Sequence, residues 1–380
     1  MKTIFKRLGV SCLALAMLVG CGGPKKDDSK IQIGLNYEQS GGVAQYGIAH
    51  IEGIEMAIEE INAAGGINGK QVELLKIDNK SDTKEVKSVA QRLADQGAVM
   101  ILGPSTSGNT MAAYSQAKIT KIPTISASAT QDSATLEADG STTAYGFKTC
   151  FNDSFQGQAL ANFATEKGFK KVAVIYDSAS DYANGVKTAF AGKYTGEVVA
   201  TEAYAKDEKD FNSILTKIKN KGFDAIVVAG YYEQAGLLVK QARESGINAP
   251  ILGTDGFDDS KFVDLAGAKN LDNIYYTTHF SSLDKDEKVA TFIEKFNTKY
   301  KKAPGAFAAL GYDLAYYAKD VIERANSTEP DKLVAALEDT KSFKGVTGEF
   351  SMDKNHVAKK QIKVVQLTQG KQTTVETINY

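Results

Sequence analysis

A chain of 380 residues, 43% hydrophobic and 24% charged, has the make-up of a soluble globular protein and length enough for two lobes. That composition excludes a fibrous chain, a polytopic membrane protein and a largely disordered one. The formal charge is −1; without the first twenty residues, which carry Lys2, Lys6, Arg7 and no acid, 42 basic residues face 46 acidic ones, and charge so scattered leaves no footprint for a nucleic-acid partner.

Lys2, Lys6 and Arg7 form a basic start, and Leu8 to Gly20 is an apolar run. As a helix that run would reach roughly 20 Å, short of the ~30 Å hydrocarbon core, so it reads as a signal segment (residues 1–20) rather than a span. It ends Leu18-Val19-Gly20-Cys21, which resembles the lipobox of bacterial lipoproteins. The resemblance implies a lipid on Cys21, a short tether over residues 21–30, and an extracytoplasmic domain held at the membrane. Cys12 would leave with the signal, so Cys150 alone remains and no disulfide can form within the mature domain. Nothing beside Cys150 marks it as a nucleophile, and it reads as a small buried apolar residue.

Strands and helices then alternate. Ile31 to Tyr37 reads as a strand, and Ile48, Ile51, Ile54, Ile58 and Ile61 recur at helical spacing before Gly65-Gly66 stops them. Val72–Asp78, Val99–Gly103 and Thr124–Ser126 are further strands, with helices over Thr83–Gln96 and about Gly108–Ile119. The beat restarts with strands at Lys171–Tyr176, Val198–Ala203, Ala225–Ala229 and Ile251, and with helices from about Tyr182, from Phe211 and over Gln234–Ser245. Such repeated βα units predict an α/β fold with parallel sheets flanked by helices, and runs such as Ala-Ile-Val-Val suit strands buried on both faces. The tail departs from the pattern. Two long helices, about Lys285–Tyr300 and Ala306–Ala325, precede strand-like segments at Val346–Phe350, Ile362–Leu367 and Thr373–Ile378, the last two reading as edge or antiparallel strands.

Catalytic signatures are missing. His50, His279 and His356 are the only histidines, and none has metal-ligand spacing. No Gly-x-Ser-x-Gly, phosphate loop or Gly-x-Gly-x-x-Gly stands where hydrolysis or dinucleotide binding would need it. Neither an enzyme nor a cofactor is expected. What stands out instead is polar loops at the carboxyl ends of strands, where open α/β sheets bind ligands. Gly103-Pro104-Ser105-Thr106-Ser107-Gly108 and Ser126-Ala127-Ser128-Ala129-Thr130 are rich in hydroxyls, which either cap helix amides or join those amides in holding a carboxylate. Gly253-Thr254-Asp255-Gly256 places an acid in a turn, where it is either a turn residue or the partner of an ammonium.

Ser40-Gly41-Gly42-Val43-Ala44-Gln45-Tyr46-Gly47 and Asn62-Ala63-Ala64-Gly65-Gly66-Ile67-Asn68-Gly69, with Gly230-Tyr231-Tyr232 and Lys240-Gln241-Ala242-Arg243-Glu244-Ser245-Gly246, resemble periplasmic binding proteins that serve branched-chain amino acid ABC transporters. The likeness runs through nearly all of the chain after about residue 31. It implies two Rossmann-like lobes in the type I, hinge-closing arrangement, residues 31–148 with 280–350 and residues 149–279 with 351–380, joined by three crossings. It also implies that Ser107, Ser128 and Thr130 hold an amino acid's carboxylate and ammonium, Ser128 through its backbone. Tyr46 would line the cleft, Tyr182 and Tyr231 would close over the ligand, and Asp255 would neutralise the ammonium. Leucine-binding members carry a glutamate where Asp255 stands and a cysteine pair where this chain has Ser81 and Thr106. The expected protein is a lipid-anchored monomer that binds an aliphatic amino acid and passes it to a membrane permease. A receptor or sensor for a short amide, urea or another small polar ligand is the alternative within the same fold.

Overall fold

A computed structural model describes residues 29–379; the signal segment, Cys21 and the tether up to residue 28 lie outside them. The first half begins β1 (Lys30–Tyr37), α1 (Ala44–Ala63), β2 (Gln71–Asp78), α2 (Thr83–Asp95), β3 (Met100–Leu102), α3 (Ser107–Thr120), β4 (Thr124–Ser126) and β5 (Gly146–Lys148). The next stretch carries α4 (Asp153–Glu166), β6 (Lys171–Asp177), α5 (Asp181–Lys193), β7 (Glu197–Tyr204) and α6 (Asn212–Lys219). It continues with β8 (Ala225–Ala229), α7 (Tyr232–Glu244), β9 (Ile251–Gly253), α8 (Ser260–Ala266) and β10 (Ile274–Thr278). Helices α9 (Glu287–Tyr300), α10 (Ala306–Ala325) and α11 (Pro330–Glu338) come next. The chain ends in β11 (Phe343–Gly345), β12 (Gly348–Met352), β13 (Ala358–Lys360), β14 (Ile362–Thr368) and β15 (Lys371–Ile378).

Two sheets carry the expected α/β alternation. The first is five-stranded, in the order β2-β1-β3-β4-β5, and its pairs run parallel. The second is seven-stranded, β15-β14-β10-β9-β8-β6-β7; it is parallel from β10 to β7, while β14 and β15 run antiparallel at one side. The apolar runs do what continuous hydrophobicity requires. Ile226 and Val228 of β8 pack into one core and Val227 and Ala229 into another, so this strand is covered on both faces.

In the first lobe Ile51, Ile54, Ile58 and Ile61 of α1 sit in a core with Ile33 and Leu35 of β1 and Leu314, Ala318 and Val321 of α10. The two 20-residue helices come unusually close. A Cβ on Gly53 would stand 2.0 Å from the Ala308 carbonyl oxygen, and one on Gly311 2.2 Å from that of His50. Only glycine fits at these two contacts.

The tail differs from its sequence reading in detail. Val346 and Thr347 turn a hairpin between β11 and β12 instead of extending a strand. The buried Asp313 carboxylate accepts both of their amides, at 2.8 Å each, and so fixes the turn. Strand β13 pairs with β12, so the small β11-β12-β13 sheet runs on to Lys360, and the division expected at residue 350 falls inside β12. The chain moves from the first sheet to the second after β5, leaves it after β10, and re-enters it after Gln361, between β13 and β14. Lys148 at the first passage bridges Val357 near the third, which ties these segments side by side. Cys150, on the first passage, is fully buried, and burial pushes its thiol up to about 12, as expected of an inert core residue. Among the described residues no helix is long and apolar enough to cross a membrane.

Replacing Gly311 by valine forces α1 and α10 apart. Thermal unfolding should show a loss of about 1–3 kcal/mol or more, the cost of overpacking a tight contact, whereas valine at Gly192, with nothing near its Cβ position, should cost much less.

Candidate functional site

The cleft grows from strand ends. At the end of β3 the chain reverses at Gly103, whose φ of +97° and missing Cβ (one would lie 2.5 Å from the Asn36 carbonyl oxygen) let it turn close against β1. The loop beyond is pinned by Glu38, one residue past β1 and fully buried. Its carboxylate accepts from the Ser105 amide (3.0 Å), the Thr106 amide and hydroxyl (3.3 Å each) and Asn109 Nδ2 (2.8 Å). Thr106 is the N-cap of α3, yet its side chain makes no capping bond. The first-turn amides of α3, with no acceptor inside the helix, are therefore left for another anion.

The second hydroxyl loop locks onto the first. Ser126 Oγ donates to the Pro104 carbonyl (2.7 Å) and Ser128 Oγ to that of Ser105 (2.8 Å). Ser107 Oγ accepts from the Gln131 amide (3.2 Å). Thr130 is buried, with its hydroxyl beside the Asp153 carboxylate.

From the other lobe, Asp255 follows β9. Its Oδ1 accepts from the Tyr182 hydroxyl (2.5 Å) and from Gln156 Nε2 (2.9 Å), while Oδ2 lies 3.4 Å from His279 Nε2. Tyr182 and Tyr231 stack, 5.4 Å between centroids and 10° between planes. Tyr46 reaches across from α1: its hydroxyl donates to the Gly256 carbonyl (2.5 Å) and accepts from the Tyr232 amide (3.2 Å), and its ring stacks on Phe307. Burial holds the phenols of Tyr46 and Tyr182 well above their ordinary value, so both remain hydrogen-bond donors.

Six of the seven candidate residues, Tyr46, Ser107, Ser128, Tyr182, Tyr231 and Asp255, wall one cavity with Ser105, Thr106, Gly256 and Phe307. Thr130 stands behind that wall rather than in it. The cavity is ≈ 10 Å³, space for about one water molecule. As it stands the cavity is too small for an amino acid. Its two sides differ in kind: hydroxyls and helix amides from the first lobe, one carboxylate and two phenol rings from the second. That is a complement for a small molecule carrying a negative and a positive group.

Glu38, Gln156, His279 and Phe307 escaped the sequence reading. Glu38 follows β1, the right place for a site residue, but lies outside any hydroxyl-rich loop. Gln156 and His279 reach Asp255 only through the fold, from segments 99 and 24 residues away in sequence. All three histidines are buried and stacked on aromatic rings, His50 on Tyr37, His279 on Phe151 and His356 on Phe147, and burial holds His50 down at about 3. Among the described residues no cluster of acids, histidines and cysteines could hold a metal ion.

Residues 30–372 match the family model for periplasmic binding proteins. The structure superposes with a TM-score of 0.88 on the branched-chain amino acid transporter substrate-binding protein LivJ of Streptococcus pneumoniae, solved in complex with isoleucine; the two are 42% identical, over 92% of this chain and 99% of that one. A leucine-binding protein LivK from Thermotoga maritima gives 0.84 at 30% identity, with 92% and 99% covered. The leucine-, isoleucine-, valine-, threonine- and alanine-binding protein of Pseudomonas aeruginosa is 30% identical over 85% of this chain and 86% of its own. The chain belongs to the periplasmic binding protein family.

Glu38→Ala would strip four donors of their acceptor. It should cost about 1–3 kcal/mol of stability and weaken any ligand held by the α3 amides, both readable by thermal unfolding with and without ligand; Glu38→Gln, which keeps one carbonyl oxygen, should lose less.

Proposed function

We propose that this member of the periplasmic binding protein family holds the zwitterion of an aliphatic, branched-chain amino acid between its lobes and delivers it to an ABC importer. One observation carries the reading: one small cavity draws hydroxyl loops and the α3 N-terminus from one lobe and Asp255 from the other. A zwitterion leaving water needs both charges matched by charge-assisted hydrogen bonds, worth ~1.5–3 kcal/mol each. The α3 amides with Ser107 and the Ser128 backbone would take the carboxylate. Asp255, oriented by Tyr182 and Gln156, would take the ammonium. Tyr46, Tyr231 and Phe307 would close apolar faces over the side chain, and Thr130 would act from behind the wall on the loop it belongs to. The ligands named for the Streptococcus and Pseudomonas relatives make isoleucine, leucine and valine the first candidates.

The lipobox-like Leu18-Val19-Gly20-Cys21 supports an extracytoplasmic protein tethered by a lipid on Cys21. Closure supplies the signal that a permease could read, because the loaded form has a different shape from the open one. An amide or urea has no ammonium to offer a buried carboxylate, and Asp255 therefore favours an amino acid over these.

Asp255→Ala should weaken isoleucine or leucine binding by ~2–5 kcal/mol, about 30-fold to several thousandfold in the dissociation constant. Calorimetry on protein refolded free of carried-over ligand reads this directly, and an unchanged constant would sink the ammonium assignment. Cys21→Ser should move the full chain from the membrane fraction to the soluble one; variant protein that still pellets with membranes counts against the lipid anchor.

A further inference from the structure

Asp255 is not evenly supported. Oδ1 receives two donors, whereas Oδ2 faces His279, whose Nε2 lies 3.4 Å away. The imidazole is 2% exposed and packed 3.8 Å from the Phe151 ring. It lies behind Asp255, outside the walls of the cavity, so its influence on a ligand would pass through the carboxylate.

We propose that His279 is a positioning residue that couples amino acid binding to proton release: its neutral ring backs Asp255, and its imidazolium competes with the ligand's ammonium for the same carboxylate. The inference rests on the amino acid reading above. A proton on His279 supplies a buried positive charge beside Oδ2, and a ligand ammonium supplies another on the cleft side. One carboxylate in a buried site cannot compensate both at full strength. Binding therefore depresses the proton affinity of His279, and lowering the pH weakens binding by linkage, at most tenfold per pH unit for one proton.

The surroundings set the range. Burial holds His279 below the ordinary imidazole value of 6.5, against the pull of Asp255. Lys360 also disfavours its proton; with a value lowered to about 8, that amine stays charged throughout the acid range. His50, the other imidazole coupled to His279, sits at about 3 and stays neutral. Asp258 is pushed up to about 6 by burial and Asp153 of α4 is also raised by burial, and both interact with Asp255, so other carboxyls can titrate alongside His279. For that reason the contrast between wild type and a His279 variant carries the test.

Isoleucine is the probe, titrated calorimetrically at pH 7.5 and 5.5 in buffers of different ionisation enthalpy, with wild type and His279→Gln. Wild type should release protons on binding at pH 5.5 and lose up to tenfold more affinity between the two pH values than the variant. With only three histidines in the chain, imidazole NMR of wild type gives a readout free of any folding defect in the variant: the His279 titration should move to lower pH when isoleucine is bound. Equal affinity slopes in the two proteins, or a His279 titration that ignores isoleucine, overturns the inference while leaving the ligand intact. Failure of every amino acid to bind wild type at pH 7.5 overturns the ligand reading and this one with it.

Discussion

A carboxylate out of water must be compensated, and two buried carboxylates organise this molecule in opposite ways. Glu38 takes four donors from one short loop and its helix, and so behaves as a structural anchor. Asp255 is compensated on one oxygen and exposed to demand on the other. The first arrangement is complete within its own lobe. On the proposed reading the second is completed by the ligand's ammonium, which would give the cleft a polarity as well as a shape.

Closure follows the same logic. Tyr46 spans the lobes with one hydroxyl that both gives and receives, to Gly256 and from Tyr232. Tyr232 returns a bond of 3.1 Å to the Gly42 carbonyl. The Ser154 amide bonds to Asp132 and the Ala306 amide to Asp258 in the same way, and the Tyr46 ring packs edge-on against Tyr231 and Tyr232. The two sheets are separate, and among the described residues only one core cluster, which takes Tyr46 and Phe307 in among second-lobe residues, spans the cleft, so parting the lobes would expose that patch while leaving each sheet intact.

How far the sequence could be read depended on the range of each interaction. Isoleucines at helical spacing in α1 and the unbroken apolar run of β8 encode burial locally, and their elements were legible. So were the hydroxyl loops and the Asp255 turn, which advertise themselves as short motifs after strands. The hairpin at Val346-Thr347 was hidden because its cause, Asp313, sits 33 residues away in α10. The N-cap question at Thr106 could not be decided locally either: its hydroxyl is drawn off by Glu38, 68 positions earlier. His279 and Gln156 carry no motif at all, and their place beside Asp255 exists only once β10 and α4 have packed around it.

Thr106 and Ser81 stand where the resemblance places a cysteine pair, and here each is held by hydrogen bonds, Thr106 to Glu38 and Ser81 from its hydroxyl to the Ser40 carbonyl at 2.7 Å. Nothing in this loop has to be oxidised for it to take its final form. Its geometry is thus set in the same step as folding, with no mispaired thiol intermediate to correct, and it is the same in a reducing medium as in an oxidising one. The shape of this loop, and of the helix start beside it, therefore does not depend on the redox poise of the surroundings.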